Sequence, residues 1–578
     1  MARYWPEADR KRPRLGKAGL LVILLTVLAG CAAADDTPSP SPSPSSEDPA
    51  AIADDGPKAP GDREIVPPEV RTRNGVTRVR FDLGNVAIGD PPQPEEFMSP
   101  LRGTLTLPAR SSSTRARLIV IGHLRAATCA DSSFRYPCGG ADSIRYDAGM
   151  DYLAEKLAAQ GYAVLAPDLA PVFVGQLARG GSYDQTRAWR RVVLDQVESL
   201  SRAVDQSEAR KRLVGSDSEA DARVRAVDTS SILWIAHSRS GMMIRAAAEE
   251  AAKAGITTRG ALYLATAHDV GNNEGESLDD PPLDVPSLGI VGGRDRDVPS
   301  DSVQWAAAHF GVDRRSPLAV ATVGSFGHTQ FNAAPELADD RLDCGSKPAS
   351  PSCPSGEEAR ALMVTTAVGW AKAVDDASFP SFMTDAATAV PSEWLGYRAD
   401  WFVHTLAPRR VLVDAAQEPA ARALKTEDAS VQRCRIVDLM EPVAPGTTSC
   451  PDDSDVVARP GGPYLLADWK PGGTLSVSTG QPSTAARTVV LHLMPFRKSD
   501  PAGVQLDIRV ASSRVALGSD TPGLRIPGVG DDGAKTTTVR VPLPPGTAGA
   551  SVTLGSDTSA GGVLITGMEL VTSPPGTG

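Results

Sequence analysis

Beyond its N-terminal stretch the chain has no apolar run of membrane-spanning length, so nothing further along is expected to cross a bilayer as a helix. Basic residues are in the minority: 59 Lys and Arg against 70 Asp and Glu leave a formal net charge of -11. Without a basic stripe such a chain is a poor match for a phosphate backbone, which argues against a nucleic-acid partner. Cysteine and histidine are both scarce, at seven residues each. No CxxC spacing or close histidine pair accompanies the cysteines, and no metal site is expected. At 578 residues the chain is too long for one core, because single cores stop growing at roughly 250–300 residues. Two folded domains are expected.

What is present begins with a basic stretch, Arg10, Lys11, Arg12, Arg14 and Lys17, followed by the apolar run Ala18 to Gly30. The run is short for a bilayer and has signal-peptide architecture. It closes with Leu28-Ala29-Gly30-Cys31, which resembles the bacterial lipobox. That resemblance implies acylation of Cys31, export, and tethering through a lipid anchor to the outer face of the bacterial cell membrane. A plain signal peptide or an N-terminal anchor is the alternative. Setting Cys31 aside leaves three short-range couples, Cys129 with Cys138, Cys344 with Cys353, and Cys434 with Cys450. Export favours disulfides, and closing the nearest loops is the simplest of the pairings that sequence leaves open.

After residues 1–31, the stretch 32–72 is rich in Ser, Pro and Asp with little to bury, and is expected to be an extended tether. Residues 73–378 alternate apolar strand-like runs with helical ones, as in βαβ units around a doubly wound, mostly parallel sheet. Expected strands include Leu118 to Ile121, Tyr162 to Ala166, Ile232 to Ile235, Ala261 to Ala265, Ser287 to Val291 and Leu318 to Val323. Expected helices include Tyr152 to Gln160, Arg187 to Ala203, Met242 to Ala254 and Val303 to Phe310. From 392 to 575 the texture changes to short Val, Leu and Thr runs between Gly, Pro and Asp, which suits an all-β sandwich. That domain is expected to fold separately and contribute little to chemistry. Its Trp394, Trp401 and Trp469 offer a possible glycan or cell-wall contact, with core packing as the other role.

The segment Ser231-Ile-Leu-Trp-Ile-Ala236-His237-Ser238-Arg239-Ser240-Gly241 runs an apolar strand into small residues and then a helix. A nucleophile elbow needs that context, because a serine on a tight strand-to-helix turn demands small residues two before and two after it. Ala236 and Ser240 stand where glycines are commoner. The acid and base then follow in chain order. Ser287 to Val291 leads into Gly292-Gly293-Arg294-Asp295-Arg296-Asp297, making Asp295 the candidate acid, with Asp297 the candidate if the turn is one step longer. Leu318 to Val323 leads into Gly324-Ser325-Phe326-Gly327-His328, making His328 the candidate base. Backbone N–H groups of Arg239 and Leu124 are the candidate oxyanion donors, Leu124 because it follows an early strand. Arg125 and Arg239 also raise the prospect of an anionic substrate group.

Taken together, these segments look like the α/β-hydrolase superfamily. Tyr152-Leu-Ala-Glu-Lys-Leu-Ala-Ala-Gln-Gly-Tyr-Ala-Val-Leu-Ala-Pro-Asp168 is similar to the helix and strand before the site in dienelactone-hydrolase-like and chlorophyllase-like esterases. Gly327-His328-Thr329-Gln330-Phe331-Asn332 resembles the histidine loop of those enzymes and of cutinase-like polyester hydrolases. The resemblance implies an eight-stranded, mostly parallel sheet, a Ser-Asp-His triad, no cofactor, and hydrolysis of small, lipid or polyester carboxylic esters. A peptidase or amidase on the same fold, or an inactive binding or adhesion lipoprotein, are the other readings.

Overall fold

The computed structural model describes residues 64–572 except 91–94, 96, 110–114, 139–141, 175–183, 269–279, 296, 299–300, 325, 335–353, 407, 416, 418–423, 436–462, 480–485, 496–503, 511, 519–520, 522–523, 525–535 and 544–550. Cys31, Cys344, Cys353, Cys450 and the first part of the expected tether therefore lie outside the described residues.

Three antiparallel strands open the fold: β1 (Glu69–Arg73), β2 (Val76–Ala87) and β3 (Met98–Leu107). The tether expected up to residue 72 thus ends sooner, because residues from Glu69 pair with β2. Six strands follow: β4 (Ala116–Gly122), β5 (Ala163–Pro167), β6 (Val227–His237), β7 (Thr257–Leu264), β8 (Ser287–Gly292) and β9 (Leu318–Val323). They pair in parallel with one another, while β3 joins β5 antiparallel. With β10 (Glu393–Trp394) and β11 (Tyr397–Val403) the sheet has 11 strands in the order β1-β2-β3-β5-β4-β6-β7-β8-β9-β11-β10. The chain leaves β4 toward β5 on one side and returns to β6 on the other. Such a reversal opens a crevice at the carboxyl ends of the strands.

Both faces of the sheet are covered, which is why its strands read as apolar runs rather than alternating ones. On one face Leu118, Val120, Ile232 and Trp234 meet the helices Gln185–Asp205 and Ile244–Lys253 through Trp189, Val192, Ile244 and Ala247. On the other, Ile119, Ile121, Leu233 and Ile235 meet Asp151–Ala159 and Gly356–Asp376 through Leu153, Leu157, Met363 and Trp370. The helix Gly356–Asp376, absent from the sequence reading, starts in a capping box between Ser355 and Glu358.

The domain boundary expected at 392 falls inside this first sheet. β11 pairs antiparallel with β9, Trp401 opposite Ala321, so residues 393–403 complete the α/β region. The reason is packing: Trp394 and Trp401 are buried against each other, and Trp401 also meets Phe382 edge-on. Trp469 is buried as well, so the three tryptophans fill cores and present no joint glycan face.

A second, all-β region starts at β12 (Arg409–Asp414) and continues through β13 (Leu424–Arg435), β14 (Pro463–Ser478), β15 (Ala486–Pro495), β16 (Leu506–Val510), β17 (Ser513–Leu517), β18 (Thr537–Pro542), β19 (Ser551–Gly555) and β20 (Gly561–Thr572). These nine strands form one antiparallel network around their own core, with β14 and β20 each pairing three others. The two regions are not independent. Arg409 donates to the Phe310 and Val312 carbonyls and pairs with buried Glu569, which also meets His492. A side chain at Gly567 would strike the Phe310 ring at 2.3 Å.

Candidate active site

Ser238 follows the last residue of β6 with φ of 55°, a left-handed conformation rare for a residue with a side chain. The following 3-10 turn Ser238–Met243 runs into the helix Ile244–Lys253, where the sequence suggests one continuous helix from Met242. Small residues make the turn possible: a Cβ on Gly241 would overlap Thr266 at 2.2 Å, beside β7's exit. Strain held in place by surrounding packing is a mark of functional sites.

The loops after β8 and β9 meet backbone to backbone. Arg294 N–H donates to the Phe326 carbonyl at 2.9 Å and Gly293 N–H to Val323 at 3.2 Å. Side chains at Gly292 or Gly293 would sit about 2 Å from the carbonyls of Phe326 and Gly324. The Gly-Gly pair therefore lets the loop carrying Asp295 touch the loop carrying His328.

These elements bring the three candidate residues into one chain of contacts. His328 Nε2 lies 2.9 Å from Ser238 Oγ, and His328 Nδ1 lies 2.9 Å from Asp295 Oδ2. All three are buried, Ser238 and His328 at 3 % exposure and Asp295 at 0 %. The other Asp295 oxygen accepts the N–H groups of Asp297 and Val298 at 3.0 and 2.8 Å, so its carboxylate is fully engaged. Asp297 is mostly exposed and approaches His328 on the opposite nitrogen, Nε2, at 3.3 Å. Geometry thus gives Asp295, not Asp297, the Nδ1 position.

Two neighbours escaped the sequence reading. His237 Nε2 donates to the His328 carbonyl at 3.0 Å, and burial, then the nearby His328 charge, hold His237 well below the usual histidine range. It is a neutral prop behind His328. Asp301 is pushed up to about 7, first by burial and further by Asp295 and Asp297, against the His268 N–H that favours its charged form. No spacing rule marks either residue, since each acts by a contact with a segment distant in sequence.

Leu124 lies 1 % exposed just beyond β4, and Arg239 follows Ser238 directly. The Arg125 guanidinium sits over the Phe134 ring at 5.3 Å, and an Arg239 nitrogen lies 3.8 Å from the Met242 sulfur. Cys129 and Cys138 are joined in a disulfide that closes the loop beyond Leu124. Cys434 lies in β13 opposite Tyr464. Among the described residues no group of His, Cys, Asp and Glu is arranged to hold a metal ion, and no helix is long and apolar enough to cross a membrane.

No family model matches the chain, and no curated protein matches it. Solved structures do resemble parts of it. A Klebsiella pneumoniae protein assigned as a dienelactone hydrolase is 14 % identical with a TM-score of 0.30, covering 53 % of this chain and 100 % of its own. A dienelactone hydrolase of Anabaena variabilis is 15 % identical with a TM-score of 0.29, covering 50 % and 96 %. A variant of a family 29 carbohydrate binding module is 7 % identical with a TM-score of 0.18, covering 29 % and 94 %. All three scores are low, so what this site can do is decided by its own atoms.

Proposed function

We propose that the chain is a serine hydrolase of the α/β-hydrolase type that cleaves carboxylic esters through an acyl-enzyme. The observation that carries this reading is His328, which bridges Ser238 Oγ and Asp295 at 2.9 Å on each side. The crevice at the β4–β6 reversal and the left-handed serine at its edge support it. In the first half-reaction His328 takes the Ser238 proton as Oγ attacks the ester carbonyl, then returns it to the leaving alcohol. Water repeats the cycle on the acyl-enzyme. Asp295 keeps the Nδ1–H tautomer and stabilises the imidazolium, while the Leu124 and Arg239 N–H groups receive the oxyanion.

The test is p-nitrophenyl ester turnover and fluorophosphonate labelling of the wild type, Ser238→Ala, His328→Ala and the double variant, with circular dichroism on each. Each single substitution is expected to lose several orders of magnitude in kcat and the double to add little, since triad members act as a unit. Folded Ser238→Ala with substantial turnover, or wild type that resists the probe, overturns the reading. Hydrolysis of amide but not ester reporters would favour a peptidase instead.

The same reading places the protein outside the cytoplasm, anchored through acylated Cys31. The Cys129–Cys138 bond supports an oxidising compartment. Expressed in a bacterial host, the full chain should take up labelled palmitate and Cys31→Ser should not.

A further inference from the structure

Ser240 stands where the commoner elbow pattern has glycine, and its hydroxyl is occupied. Fully buried, it donates to the His123 carbonyl at 2.6 Å and accepts the Trp189 Nε1–H at 3.2 Å. The His123 carbonyl and the Leu124 N–H are opposite ends of one planar peptide unit, so fixing one aims the other. The next peptide is fixed too. His123 Nε2 accepts the Leu169 N–H at 2.8 Å, which assigns the proton to Nδ1, and Nδ1 donates to the Leu124 carbonyl at 2.7 Å.

Among the described residues the Leu124 N–H itself has no hydrogen-bond partner, although the residue is buried. Buried N–H groups without partners are rare and call for an explanation. β4 and β6 are parallel neighbours with Gly122 opposite Ala236, and Leu124 lies as far beyond Gly122 as Ser238 lies beyond Ala236. The unpaired donor is therefore carried to the end of the sheet where the nucleophile stands.

We propose that Ser240 is a positioning residue for ester cleavage: its hydroxyl clasps the nucleophile turn to the loop after β4 and aims the Leu124 N–H at the developing oxyanion. This rests on Ser238 being the nucleophile. The crossing of strand and turn still needs one residue without a side chain, and Gly122 supplies it. A Cβ there would lie 2.8 Å from Ser240 Cβ and Oγ and 3.1 Å from Trp189. With Gly122 bare, the elbow position has room for a side chain, and the Ser240 hydroxyl occupies it.

An oxyanion donor acts on the tetrahedral species and hardly on the bound ester, which sets the clasp apart from plain packing. Ser240→Ala and Ser240→Gly are expected to lower ester kcat by about 10- to 100-fold, the cost of a misdirected rather than deleted donor, with KM within about twofold. The inhibition constant of phenylboronic acid, which forms a tetrahedral adduct on the serine, should rise by the factor by which kcat/KM falls. Ser240→Gly restores the residue commoner at this elbow position, so it carries the test if Ser240→Ala does not fold. Unchanged kcat, a change confined to KM, or unchanged boronate affinity would overturn the clasp. Ser238→Ala measured alongside separates the failures. Turnover surviving there sinks the nucleophile assignment, whereas turnover lost there while both Ser240 variants remain fully active sinks only the clasp.

Discussion

Replacing Asp295 by asparagine changes one atom, and the structure dictates how the new amide must sit. One oxygen of Asp295 accepts two backbone N–H groups, from Asp297 and Val298, and the other accepts His328 Nδ1–H. An asparagine that turned its NH2 toward the two backbone donors would leave both unsatisfied in a buried place, at about 1–3 kcal/mol each. Keeping its oxygen there sacrifices one bond at most, so the NH2 must face His328 Nδ1. A donor in that position expels the Nδ1 proton and leaves Nε2 protonated, so the imidazole cannot accept from Ser238. The expected loss is about 10⁴ in kcat, or roughly 5 kcal/mol of transition-state stabilisation, with KM little changed. Asp297→Asn is the control. It is 67 % exposed on its side chain and meets the other nitrogen, so solvent screens it and its removal should cost less than about tenfold. Initial rates with a p-nitrophenyl ester on folded protein decide between them. Asp295→Asn within tenfold of wild type, or a larger loss in Asp297→Asn, would refute the tautomer argument.

Opening the Cys129–Cys138 disulfide, which spans a sequence separation of 9, should cost about 2–3 kcal/mol and a few degrees of melting temperature while ester turnover at low temperature persists. Calorimetry and rates on Cys129→Ser/Cys138→Ser would show it, and unchanged melting would count against the bridge as a brace. Asp301 has a folded-state value near 7 against an ordinary 3.8, raised by burial first. Its contribution is therefore fully present below about pH 4 and lost as pH rises through about 7. Asp301→Asn, which keeps the acceptor for His268 N–H, should flatten that decline, and parallel melting-temperature profiles of variant and wild type would expose the prediction as wrong. A chain ending near Ser378 should be insoluble or inactive, since it loses β11, bares the edge of β9 and uncovers Phe310. Soluble, active protein from that truncation would contradict the packing described above.

The order Ser238, Asp295, His328 was legible because strand-to-loop transitions and the elbow's small residues follow from covalent spacing along single segments. The parallel strands were legible for the same kind of reason: buried on both faces, they stand out as apolar runs between helical patterns, and Leu318 to Val323 coincides with β9. The choice between Asp295 and Asp297 was not, since it depends on which nitrogen of a distant imidazole each carboxylate reaches, and that is set by the contact of two loops through Gly292 and Gly293. Residues 393–403 read as the start of the all-β region because a strand's texture does not say which sheet it joins; only pairing with β9 places them. Trp394 and Trp401 are ambiguous between surface and core in the sequence; tertiary packing decides for the core, with Phe382 against Trp401 and Trp401 against Trp394. Ser240 shows the division most plainly. Its sequence position marks it as a small residue at the elbow, which local sterics require, whereas its bond to His123 joins residues 117 positions apart and exists only because β4 and β6 lie side by side.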